Sequence, residues 1–127
     1  MAFNVLIVDD SPIMRAMIIK SLRLCGVALG DIHQAGDGAE ALRLLEEHWV
    51  DVIFTDMNMP VMRGEELLDK VRAKPETAGL PVIVVSTESS AERIALIERK
   101  GAAFVHKPFK PMELRETVRR VMGSSVE

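Results

Sequence analysis

The sequence predicts an α/β fold, a single doubly wound, five-stranded parallel sheet with five helices. Three observations predict it. Five short apolar runs recur along the chain, several of them are rich in Val and Ile on successive residues, and stretches of helical periodicity separate them. A continuous apolar run suits a strand buried on both faces. Strict alternation of strand and helix implies right-handed crossovers and a parallel sheet covered on both sides. A chain of 127 residues fits one domain, read here as residues 1–123 with 124–127 as a flexible tail.

The elements follow in order. The apolar runs are Asn4–Val8, Asp31–Ala35, Val52–Thr55, Pro81–Ser86 and Ala102–Val105. The second is the most polar and belongs near a sheet edge. Ser11 caps the first helix and Pro12 occupies its first position, where a missing N–H costs nothing. Met14, Met17, Ile18, Ser21, Leu22 and Cys25 then form one inward stripe, ended by Gly26. A second helix spans about Ala39–His48 with Ala41, Leu42 and Leu45 inward, and Trp49 packs at its end. A third follows Gly64 and carries Leu67, Leu68 and Val71. A fourth covers about Ser90–Arg99, with Ile94 and Ile97 or Ala95 inward. The fifth starts after Pro111 and carries Leu114, Val118, Val121 and Met122.

Composition excludes several classes. One cysteine, Cys25, leaves no internal disulfide and no cysteine metal cluster. No apolar run approaches the length of a membrane span, and the first residues lack the pattern of a signal peptide. These features favour the cytoplasm and no membrane partner. A formal charge of −3 gives no reason to expect direct nucleic-acid binding. No GxxxxGK[ST] loop and no GxGxxG follows the first strand, which argues against a nucleotide-binding module.

Ligands of such sheets bind beyond the carboxyl ends of the strands. There the sequence places Asp9-Asp10 after the first run, Asp56 after the third, Ser86-Thr87 at the end of the fourth and Lys107-Pro108 after the fifth. Carboxylates gathered at one edge repel each other, and a hard divalent cation removes the conflict; magnesium takes oxygen ligands and often only one or two carboxylates besides a phosphate. A carboxylate can also attack a phosphoryl group and hold it as an aspartyl phosphate. In that chemistry Asp56 is the nucleophile, Lys107 the charge-neutralising ammonium and Ser86 a hydroxyl offered to a phosphoryl oxygen. Each residue alone has an ordinary reading, as strand end, turn, cap, core aromatic or solvated lysine; the joint constellation outweighs it.

The segments VLIVDDSP at 5–12, AGDGAEAL at 35–42, DMNMPVMRG at 56–64, VIVVSTES at 82–89 and FVHKPF at 104–109 resemble the receiver domain of two-component response regulators, the CheY-like family. The resemblance covers nearly the whole chain. It implies a flavodoxin-like sheet of strand order 2-1-3-4-5 and a role in bacterial signalling. It implies that Asp56 accepts a phosphoryl group from a sensor histidine kinase, a phosphotransfer protein or a small phosphodonor, with Mg2+ held by Asp9, Asp10, Asp56 and the backbone carbonyl of Asn58. Ser86 and Phe104 match the switch pair, Lys107 the lysine, and Lys107–Pro108 a cis bond. Asn58 and Glu88 match the positions that tune phosphoryl lifetime, and their identities imply a short one. The protein is then a signalling phosphoacceptor rather than an enzyme with a separate substrate, read by a downstream protein at the face from the fourth to the fifth helix. Two departures stand out: Thr87 replaces the usual small residue, and Phe104 carries no hydroxyl.

Two alternatives compete. A haloacid-dehalogenase-like phosphatase also uses an aspartyl phosphate, but carries a second aspartate where this chain has Asn58. A degenerate receiver binds partners without phosphorylation, against which the complete Asp9, Asp10, Asp56, Ser86 and Lys107 set argues. His33, His48 and His106 lack mutual metal-ligand spacing, and the methionines, Met14, Met57, Met59 and Met62 among them, read as core gap-fillers. Arg115, Arg119 and Arg120 give the last helix a basic side that suits a solvated face or a docking surface equally.

Overall fold

A computed structural model describes residues 2–123. Five strands, β1 (Phe3–Val8), β2 (Leu29–Ala35), β3 (Val52–Thr55), β4 (Val82–Ser86) and β5 (Ala103–His106), form one parallel sheet in the order β2-β1-β3-β4-β5. Between and after them run α1 (Pro12–Leu24), α2 (Gly38–Glu47), α3 (Gly64–Ala73), α4 (Ala91–Arg99) and α5 (Pro111–Met122). Fold class and strand order are those the sequence implies. The tail at 124–127 lies outside the described residues.

The sheet divides two apolar clusters. Leu6, Val8, Ile53, Val82 and Val84 face Leu67, Leu68, Val71 and Ile97 on one side. Val5, Ile7, Phe54, Ile83 and Val85 face Ile18, Leu22, Leu114 and Val118 on the other. Strand residues alternate between the clusters as the pleat requires. Both faces of β1, β3 and β4 are therefore covered, which explains their unbroken apolar runs. β2 has only one fully buried residue, Ala35, and sits at the edge.

Local signals also hold. The Ser11 hydroxyl accepts from the Met14 N–H at 3.2 Å to cap α1. Asp37 accepts from the Glu40 N–H at 2.9 Å to cap α2, and the Glu40 carboxylate returns to the Gly36 N–H at 2.8 Å. Glu113 accepts from the Lys110 N–H at 2.9 Å at the start of α5.

Several details differ from expectation. β2 begins at Leu29, two residues earlier than its polar sequence suggests, because pairing with β1 holds it. β5 is shifted one residue later and includes His106, which pairs with Ser86. Met17 is 50% exposed, since the buried side of α1 runs through Ile18, Ser21 and Leu22 and leaves Met17 on its flank. Trp49 is 76% exposed rather than packed; its indole N–H donates to Asp51 at 2.9 Å, which satisfies the polar tip without burial. His33 and His48, too far apart in sequence to suggest a pair, stack with ring centroids 4.1 Å apart.

Candidate functional site

The carboxyl edge of the sheet collects the residues named from the strand ends. Asp9 follows β1 and is 3% exposed. Its N–H donates to the Ala35 carbonyl at 3.1 Å, and one carboxylate oxygen accepts from the Ser11 N–H at 2.9 Å. This turn bends the chain off the strand, so that Asp9 and Asp10 reach one site although neighbouring strand residues point to opposite faces. Asp10 is exposed. The Asp56 N–H donates to the Val8 carbonyl at 3.0 Å, and its Oδ1 accepts from the Met57 N–H at 2.8 Å. Asp9, Asp10 and Asp56 each offer a carboxylate oxygen within 4.8 Å of the others.

Lys107 supplies the compensating charge. Its Nζ stands 3.1 Å from Asp9 Oδ2 and 3.6 Å from Asp56 Oδ2, and its side chain is 12% exposed. Its backbone N–H donates to the Ser86 carbonyl at 2.9 Å, and the following peptide bond to Pro108 is cis. Three carboxylates against one ammonium leave two negative charges in excess. A hard-oxygen cluster with that imbalance fits a divalent cation such as Mg2+.

Ser86 is fully buried at the end of β4, and its hydroxyl oxygen accepts from the Glu88 N–H at 3.2 Å. Phe104 pairs with Val84 and His106 with Ser86, so the four side chains lie on one face of the sheet. Phe104 is half-buried, with its ring edge-on to His106 at 4.9 Å. Asn58 and Thr87 are exposed in the loops after β3 and β4.

Sequence reasoning passed over other residues. Arg15 donates to the Asp9 carbonyl at 2.6 Å and to Gln34 at 3.0 Å, tying the Asp9–Asp10 turn to β2. Its signal was a cation near the start of a helix, where the dipole disfavours one. Arg93 of α4 forks onto the Glu65 carboxylate, at 2.9 Å to each oxygen, and also meets Glu88. Hydrogen bonds to Glu65, with the charges of both acids, raise the Arg93 pKa above its ordinary value.

A family model described as "Response regulator receiver domain" matches residues 5–119. The chain belongs to the response-regulator receiver family. It is 39% identical over 123 residues to a chemotaxis protein CheY homolog of Campylobacter jejuni, covering 95% of this chain and 93% of that one. Among solved structures, this receiver matches the chemotaxis response regulator CheY4 of Vibrio cholerae with a TM-score of 0.83 at 36% identity, covering 95% and 99% of the two chains. It also matches the receiver domain of a sensor histidine kinase from Pseudomonas aeruginosa, whose structure has a magnesium ion coordinated in the active site cleft, with a TM-score of 0.82 at 26% identity and coverage of 98% and 100%. No helix of the described residues is long and apolar enough to cross a membrane.

Proposed function

We propose that this receiver takes a phosphoryl group onto Asp56 and signals by a change of shape. The observation that carries the proposal is the gathering of Asp9, Asp10 and Asp56 around the Lys107 ammonium at the carboxyl edge of the sheet. An Asp56 oxygen attacks the phosphorus of the donor, a phosphohistidine of a kinase or phosphotransfer protein, or a small acyl phosphate. An O–P bond forms while the bond to the imidazole or carboxylate leaving group breaks, and the leaving group departs with the electron pair.

Asp9, Asp10, Asp56 and the Asn58 carbonyl would hold Mg2+, which supplies charge neutralisation at the phosphoryl oxygens. Lys107 sits within reach of Asp56 and stabilises the same developing charge. The Ser86 hydroxyl turns toward the new phosphoryl group, and Phe104 follows inward. That small event biases a two-state surface on α4, β5 and α5, which a downstream protein reads. Asn58 and Glu88 set a short phosphoryl lifetime. The domain works in the cytoplasm as a phosphoacceptor and promotes only its own phosphorylation and dephosphorylation. Asn58 in place of a second aspartate disfavours a hydrolytic phosphatase.

The test is the chemistry of the linkage. Labelled acetyl phosphate with magnesium should give a protein-bound label that neutral hydroxylamine removes and that decays within minutes to hours. A hydroxylamine-resistant label overturns the aspartyl phosphate, and a label that persists for many hours in magnesium overturns the short lifetime.

A further inference from the structure

We infer that Glu65, Arg93 and Glu88 form a latch that holds the β4–α4 loop in its resting position, making Arg93 and Glu65 positioning residues for the phosphoryl-dependent switch. The inference rests on the phosphoacceptor reading of Asp56 and adds residues that the reading does not use.

The connections run unbroken from the switch hydroxyl to α3. Ser86 Oγ accepts from the Glu88 N–H. The Glu88 carboxylate accepts from the Ser90 N–H at 3.0 Å and from the Arg93 guanidinium. Arg93 donates to Glu65, in the first turn of α3, through Nε at 3.2 Å and Nη2 at 2.9 Å. The side chains of Arg93, Glu65 and Glu88 are 31%, 23% and 14% exposed, so water screens the contacts only in part. A planar guanidinium forking onto one carboxylate while touching another fixes direction as well as distance.

Apolar packing restrains α4 weakly. Ile97 is its one buried residue, and Leu96 is 38% exposed. At its far end Lys100 pairs with Asp69 at 2.7 Å. Polar contacts therefore carry a large share of the position of α4, and those nearest the site are the Arg93 set. When the Ser86 side chain swings toward a phosphoryl group on Asp56, its oxygen keeps the bond from the Glu88 N–H only if the β4–α4 loop follows it. The loop can follow only by stretching the Arg93 fork. The latch thus opposes the switched state, and by linkage it weakens binding of any group that favours that state.

The experiment titrates beryllofluoride, a phosphoryl mimic, in saturating magnesium, with melting temperature measured on each variant. Arg93→Gln and Glu65→Gln should each tighten apparent binding about three- to tenfold. The double variant should gain no more than the stronger single one, because both remove the same bridge. Arg93→Lys, which keeps the charge and loses the fork, should fall between wild type and Arg93→Gln. Lys100→Gln loosens the far end of α4 and should leave affinity unchanged. Raising salt should narrow the gap between wild type and Arg93→Gln. Wild-type affinity in folded Arg93→Gln and Glu65→Gln overturns the latch, as does equal tightening in Lys100→Gln or full additivity in the double variant. Absence of saturable binding to wild type overturns the phosphoacceptor reading, and the latch with it.

Discussion

Gly64 opens α3 directly against the backbone of Asp56, so a single methyl group there tests how tightly the fold holds the site. The Gly64 N–H donates to the Met57 carbonyl at 2.9 Å. A Cβ added at Gly64 would overlap the Asp56 carbonyl oxygen, and would stand 2.9 Å from Met57 Cα and 3.1 Å from the Asp56 carbonyl carbon. All three are backbone atoms, so no side chain can rotate aside. Restoring ordinary contact moves either the start of α3 or the Asp56–Met57 peptide by on the order of 1 Å. Overpacking of this kind costs about 1–3 kcal/mol. At about 2.1 cal/mol/K per residue, a chain of 127 residues loses about 4–11 °C in Tm. The same shift moves the Asp56 carboxylate relative to Lys107 and should slow phosphorylation by up to about a hundredfold. Thermal melts by circular dichroism and initial rates with acetyl phosphate read the two effects. Gly79→Ala serves as the comparison, because nothing lies within 4 Å of the added Cβ, and it should cost less than about 1 kcal/mol. Wild-type melting and rate in Gly64→Ala would refute the reasoning.

Removing the Lys107 ammonium leaves Asp9 and Asp56 facing each other; Lys107→Met should lose about 3–5 kcal/mol in chelator and recover most of it in saturating magnesium, and wild-type stability in chelator would contradict the charge balance. Magnesium at a hundred times its Kd should stabilise wild type by about 2.7 kcal/mol, and Asp9→Asn far less; a melting temperature indifferent to magnesium contradicts the metal assignment. Val61 holds φ at 69° although its side chain is branched and 79% exposed, a conformation that costs about 1–2 kcal/mol. Val61→Asn, whose side chain tolerates that region, should melt about 4–7 °C higher, and an unchanged or lower melt would show the turn to be unstrained.

The alternation of elements and four of the site residues were legible because they share one signal. Asp9, Asp56, Ser86 and Lys107 each stand at or just past the end of an apolar run, and in a parallel sheet those ends meet at one edge. What escaped depends on how whole elements sit against each other. Arg93 and Glu65 are separated by 28 residues and meet only because α4 lies beside α3. His33 and His48 stack because the end of α2 returns over β2. Met17 was read as inward from the spacing of its stripe and Trp49 as packed at the end of the second helix, yet one lies on the flank of its helix and the other finds its polar partner in Asp51 at the surface.

The central claim is that Asp56 accepts the phosphoryl group. Intact-protein mass after incubation with acetyl phosphate, with and without magnesium, tests it on wild type and Asp56→Asn. The phosphoacceptor reading predicts a gain of one phosphoryl group that requires both magnesium and Asp56. No gain in folded wild-type protein, or an equal gain in Asp56→Asn, would contradict it.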